Sequence, residues 1–185
     1  MLAELSRRRV TVSTTLGVNE IIYSSDRFDD VVLPGDQVYI HPQNLRALRS
    51  LLPVMSAQDH RRARDAMPKV LEFARRLHAA GVPILLGTDG TGGGPAYSRE
   101  LQLHARAGLE TWDVLRLATA DGAAHLGIGN RTGRISEGME ADVVFLQSNP
   151  LTDIARARDV GLVLSNGNAY APADLLGALA GSSEK

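Results

Sequence analysis

"GVPILLGTDGTGGG", residues 81–94, is the stretch on which the fold turns. Residues 82–87 are apolar at both alternating sets of positions. That is the habit of a strand buried on both pleat faces, as in a parallel sheet covered by helices. The run ends on Asp89, and every residue from 90 to 94 is glycine or threonine. In barrels and open α/β sheets, active sites are assembled from strand carboxyl ends and the loops beyond them. A carboxylate there can hold a hard or borderline cation and exchange protons with a bound water. It can equally cap a helix or form a turn, since Asp before Gly is common in turns. The residues alone leave both readings open.

Working back from this strand, apolar positions 63, 67, 70, 71, 74 and 77 fall at spacings of three and four. They predict a helix over residues 56–80, kinked or restarted at Pro68 and stopped by Gly81. Residues 10–16 alternate as a strand, so strand, helix and buried strand form a βαβ unit. The intervening residues 17–55 carry Pro34, Gly35, Pro42 and Pro53, with a short helix expected around 45–52. A connection of that length reads as a lid or rim insertion. Arg7 to Arg9 read as a solvated approach to the first strand rather than a binding patch.

Downstream, residues 99–107 predict a short helix closed by Gly108. Thr111 is the expected N-cap of a helix over 112–126, with Leu115, Ala118, Ala123 and Leu126 turned inward and Trp112 as a packing anchor. The texture then changes. Residues 131–146 read as strand, turn and strand, 149–157 as a turn and about one helical turn, and "VGLVLSNGNAY" as a hairpin on Asn166-Gly167. The tail from Gly181 is expected to fray.

Composition narrows the function. With 44% hydrophobic and 22% charged residues over 185 positions, the chain is that of a globular protein with one substantial core. A formal net charge of −1 and 4% aromatic residues argue against nucleic acid or anionic lipid as partners. No stretch is apolar for the roughly 20 residues a membrane span takes. The absence of cysteine excludes disulfides, thiol nucleophiles and thiolate zinc sites, and fits a cytoplasmic location.

Other motifs are weak. The glycine loop lacks the Lys-Ser/Thr pair of a P-loop, since Pro95 and Ala96 follow Gly94, and a dinucleotide fingerprint fails at Pro95. No cofactor-binding motif remains. No G-x-S-x-G surrounds Ser13, Ser24 or Ser98. None of the five histidines (41, 60, 78, 104, 125) forms His-x-His. His60, His78, His104 and His125 read as surface or half-buried helical residues, and His41 lies in the long connection. Glu100 and Glu110 can be imagined as acid/base partners of Asp89, but a solvent-facing helical reading is preferred. One aspartate does not make the three-ligand set of a catalytic zinc site.

Taken together, "AGVPILLGTDG" and "RELQLHARAGLETWDVLRLATADGAAHLGIGNRTGRISEGMEADVVFLQSNPLTDI" resemble the C-terminal part of metal-dependent amidohydrolases. The likeness is to the imidazolonepropionase-like and Xaa-Pro dipeptidase-like branch, over roughly residues 68–170. The run Gly133-Arg134-Ile135, Glu137-Gly138 and Ala141-Asp142 is specific to that superfamily, where it leads from the barrel into a small β-sandwich. More weakly, "VTVSTTL" is similar to the seventh-strand segment.

The resemblance implies an α/β fold. Residues 1–127 would be the last two strand–helix units of a (β/α)8 barrel, residues 128–172 part of a composite β-sandwich, and 173–185 a tail. A complete barrel takes about 250 residues. It implies Asp89 as both metal ligand and proton-transferring base, with Gly90, Thr91 and Gly92 as the substrate loop. A divalent metal, zinc in the first instance, would activate water for attack on a small amide, cyclic amide or dipeptide-like C–N bond. The family's His-x-His and later histidine ligands would lie upstream of Met1, leaving the site incomplete here. The expected partners are therefore a small amide substrate and a complementing chain or second copy. A non-catalytic subunit pairing through an exposed sheet edge is the alternative.

Overall fold

The structure, a computed structural model, describes residues 1–20, 27–51, 55–90 and 93–182. Helix α1 (Leu2–Arg7) precedes strand β1 (Val12–Ser13). Arg7 and Arg8 both reach Glu4, so the basic triplet is a solvated helix end with a local carboxylate partner. The one-turn helix α2 (Leu16–Val18) begins where β1 ends. Segment 27–51 contains α3 (Phe28–Val31), a 3-10 turn (Pro34–Tyr39) and α4 (Pro42–Leu51). It has a satellite core of Val32, Ile40 and Leu48, and Arg49 stacks 4.2 Å above the Phe28 ring. Asp36 and Arg158 form an ion pair that ties this segment to a later 3-10 turn (Ile154–Arg158).

Helix α5 (Ala57–Ala79) is one element of 23 residues, and Pro68 lies within it rather than ending it. Met67 on one side of the proline and Ala74 and Leu77 on the other are buried in a common core, which holds both halves in one helix. Ser56 caps it by accepting from the Asp59 N–H, and Gly81 follows at φ +65°. Strand β2 (Ile84–Leu85) then pairs parallel with β1, Val12 opposite Ile84 and Ser13 opposite Leu85. The expected strands over 10–16 and 82–87 are thus reduced to a central pair of residues each.

Helix α6 (Gly93–Arg106) starts six residues earlier than the sequence pattern predicts, with Pro95 in its first turn, where a missing N–H costs nothing. The expected helix over 112–126 is two: α7 (Thr111–Ala118), with Glu110 rather than Thr111 at the N-cap position and no side-chain cap bond, and α8 (Ala120–His125). The break is at Thr119, whose backbone leaves the helical region at φ −132°, ψ −96°. The chain folds back so closely that a Cβ on Gly122 would stand 2.6 Å from the Leu117 carbonyl. Val114, Leu117 and Ala123 are buried and Leu115 and Ala118 pack partly buried against the core, whereas Leu126 is exposed; Trp112, at 60% exposure, is not the expected packing anchor.

The main core is built from Leu16, Leu77, Val82, Ile84, Leu101, Leu103, Val114 and Leu117, gathering α5, α6 and α7 around the β1–β2 pair. The last part is a second sheet, β3 (Val143–Leu146), β4 (Val160–Ser165) and β5 (Asn168–Tyr170), antiparallel in that order. The expected strand before position 140 is absent: the Met139 N–H closes a turn onto the Ser136 carbonyl, and the Glu140 N–H donates back to the Arg131 carbonyl across the loop. Asn166 (φ +49°) and Gly167 (φ +79°) make the predicted tight hairpin. Helix α9 (Pro172–Ser182) closes the described chain, so residues 181 and 182 are helical where fraying was expected. No described helix is long and apolar enough to cross a membrane.

Candidate functional site

The carboxyl ends of β1 and β2 lie side by side, and two chain segments leave them. From β2 the chain runs through Leu86, Gly87 and Thr88 to Asp89, which is exposed and left-handed at φ +45°. From β1 it runs through Thr14 to Thr15, also left-handed at φ +43°, and into α2. Non-glycine residues visit this region seldom, and Asp does so more readily than most. The two segments touch: a Cβ on Gly87 would stand 2.4 Å from Ser13 Oγ and 3.5 Å from Thr15 Cγ2, so glycine is what allows the strand ends to meet.

Beneath this edge sits a polar cluster that the sequence pattern places wrongly. Glu100, expected to face solvent, and His104, expected to be at the surface or half-buried, are both 0% exposed. The Glu100 carboxylate accepts from the Leu16 N–H (3.0 Å) and the Gly17 N–H (2.6 Å), the first amides of α2. Thr14 Oγ1 lies 3.1 Å from Glu100 Oε1 and 2.9 Å from His104 Nε2. His104 Nδ1 is 2.9 Å from the Glu100 carbonyl, an acceptor only, so Nδ1 carries the proton. In the neutral ring Nε2 then accepts from Thr14. A threonine has one hydroxyl proton, and with Nδ1 protonated it goes to His104 Nε2, leaving the Glu100 carboxylate to the two backbone amides. Each buried polar group thus has a partner, as burial requires.

Burial holds the His104 imidazole below its ordinary pKa of 6.5, with His78 on α5 pushing the same way and Glu100 opposing. The folded protein therefore keeps this ring neutral where the unfolded chain would take a proton. Below about pH 6.5 the unfolded state binds more protons, so this contribution to stability is present above that pH and is lost as pH falls through it. Thermal melts between pH 8 and pH 5 should show a midpoint that drops more steeply for the wild type than for His104→Gln.

Of the remaining candidates, Gly90 is exposed beside Asp89, while Thr91 and Gly92 lie outside the described residues. His41 is exposed at the start of α4, where Nδ1 accepts from the Gln43 N–H. His60 is buried in α5 rather than half-exposed. His78 pairs with Asp113 at 3.3 Å, His125 is half-buried, and Glu110 is exposed. None of them is brought into a shared cluster with Asp89: among the described residues no group of three or more His, Asp or Glu is placed to hold a metal ion.

Residues 27–170 match the Amidohydrolase family. The chain belongs to the amidohydrolase family. Ochratoxinase of Aspergillus niger is 46% identical over 79 residues, covering 40% of this chain and 16% of the relative. Among solved structures, A. niger ochratoxinase superposes with a TM-score of 0.56 at 27% identity over 88% of this chain and 32% of that one. A bottromycin amidohydrolase gives 0.70 at 24% identity, with coverages of 94% and 40%. An Xaa-Pro dipeptidase with methionine in its active site gives 0.61 at 21%, with coverages of 87% and 34%. The last two likenesses show the fold alone. This amidohydrolase chain therefore spans well under half the length of the proteins it matches.

Amidohydrolases are generally metal-dependent. The described residues do not by themselves fit a metal centre: Asp89 is an exposed carboxylate outside any group of three or more His, Asp or Glu among the described residues, and Glu100 and His104 are engaged with Thr14 and the backbone. A single carboxylate holds a borderline cation only weakly.

Proposed function

We propose that this chain contributes the strand-end carboxylate and rim of an amidohydrolase site that cleaves a C–N amide bond in a small, cyclic-amide or dipeptide-like substrate. The observation that carries this is Asp89 at the carboxyl edge of the parallel β1–β2 pair, within a stretch matching the family. In this reading β1 and β2 are the last two strands of a barrel, and β3–β5 are part of the adjoining sandwich. Asp89 takes a proton from the attacking water and returns it to the leaving amine, which is general acid–base work for a positioned carboxylate. Gly90, Thr91 and Gly92 supply the substrate loop. The remaining groups of the site, including those that would hold a divalent cation such as zinc, come from outside the described residues. A complementing segment or second chain is the natural source.

Zinc stoichiometry tests this reading. Native mass spectrometry of the purified chain with zinc should find less than one tightly held ion per chain, and hydrolysis of small N-acyl amides should need a complementing segment. One full, tightly bound equivalent would show that the ligand set is complete in the chain, against the proposal.

A second reading is an assembly module. It is favoured by the two-stranded sheet, whose outer edges have no strand partner among the described residues. Substitutions along residues 82–86 that abolish association, with Asp89→Asn silent in function, would favour it.

A further inference from the structure

We infer that Glu100 is a positioning residue for Asp89, acting through the end of β1. This rests on the reading of Asp89 as the chemically active strand-end group. Chain and contacts together join the two residues. Asp89 leaves β2 and is followed, through the glycine loop, by α6, which carries Glu100. The carboxylate of Glu100 holds the Leu16 and Gly17 amides, at 3.0 Å and 2.6 Å, and so fixes the turn at Thr15. Thr15 in turn lies against Gly87, 3.5 Å from where a Cβ would be, two residues before Asp89. Both bends on this path, Thr15 and Asp89, are non-glycine residues at positive φ, conformations that persist only where the surroundings hold them.

A buried carboxylate is an expensive way to tie one helix to one loop, since an apolar side chain would pack there without needing donors. What the carboxylate adds is direction: two convergent N–H groups can be satisfied in one geometry of the turn only. Gly17 belongs to the device. A methyl there would stand 3.3 Å from Glu100 Oε2, inside comfortable contact, so the closeness of the turn and the acid depend on each other. Thr14 and His104 complete the seating, with the hydroxyl between the imidazole and the acid.

The test uses the full chain, labelled with nitrogen-15, and compares wild type with Glu100→Gln. An amide side chain of the same shape cannot accept from both N–H groups through two oxygens. We expect amide exchange at Leu16 and Gly17 to accelerate at least tenfold, and the resonances of residues 87–90 to shift with them. A destabilising control in the other sheet, Val163→Ala, should lower the melting midpoint without moving residues 87–90. Unmoved resonances at 87–90, with Leu16 and Gly17 changed, would reduce Glu100 to a local fold contact and overturn the inference; unchanged Leu16 and Gly17 would overturn it too. Should Glu100→Gln fail to fold, Gly17→Ala is expected to give the same pattern in milder form, and stationary 87–90 resonances there count against it equally. Hydrolysis measured on Asp89→Asn separates the two claims: its survival sinks the proposed function, whereas the amide pattern decides Glu100 by itself.

Discussion

Asp89→Asn is expected to lower amide hydrolysis by about 10²–10⁴-fold, the range general acid–base groups contribute, in a preparation of this chain complemented to activity. The same substitution should leave stability almost untouched, within about 0.5 kcal/mol, as is usual for exposed positions away from special contacts. Two features make it a clean test. The side chain is exposed, so no buried partner is orphaned. Its backbone sits at φ +45°, a conformation asparagine tolerates at least as well as aspartate. Alanine would confuse the result, because its cost at positive φ adds a fold effect to a chemical one. Steady-state kinetics beside a thermal melt separate the two. Full activity in Asp89→Asn would remove the carboxylate from the chemistry.

Glu100→Ala should have the largest effect on folding, about 3–5 kcal/mol, the scale of removing one side of a buried charged contact. The Leu16 and Gly17 amides would be left without their acceptor in a site closed to water, and a space the size of a carboxymethyl group would open there. Against a total stability of about 5–15 kcal/mol for a domain, that is enough to populate unfolded chain. Denaturant titration should show the midpoint falling sharply, with Glu100→Gln intermediate. A wild-type midpoint in Glu100→Ala would mean that the buried bonds contribute no net stability.

What could be read from the chain before its structure follows from where each signal resides. The helix over 57–79 and the Asn166-Gly167 hairpin are local patterns, and each appears where periodicity or turn chemistry puts it, as does the buried strand before Asp89, though cut to Ile84–Leu85. Glu100 and His104 went astray for a physical reason. They belong to the stripe Ala96, Glu100, Leu103, His104 and Ala107, spaced as one helical face. Placing the helix start at Arg99 rather than Gly93 drops only Ala96 from that stripe; it is the charge and polarity of Glu100 and His104 that suggest positions towards solvent. Their partners, the Leu16 and Gly17 amides, lie 83 or more positions away, and backbone donors leave no mark in composition. A polar pair four apart on an otherwise apolar face is the signal that would have found them. Trp112 fails in the opposite way: its size predicts burial, but Val114 and Leu117 take the core-facing positions of α7 and the indole is left exposed.

The same logic bears on the site. That Asp89 stands at a strand end was legible from an apolar run stopping on an acid. That the edge around it is held from below by a dry carboxylate was not, because it depends on the fold bringing α6 against the start of α2. Family membership, shown over residues 27–170, names the chemistry this edge is related to.

The most direct measurement is to map where a divalent cation settles. With the labelled chain and increasing Mn²⁺, paramagnetic broadening should concentrate on residues 87–90 and the touching Thr15, be weak enough to need excess ion, and vanish from that edge in Asp89→Asn. Broadening confined to other surface carboxylates, such as Asp142 or Asp153, with residues 87–90 sharp throughout, would contradict the assignment of this strand end as the chain's share of the site.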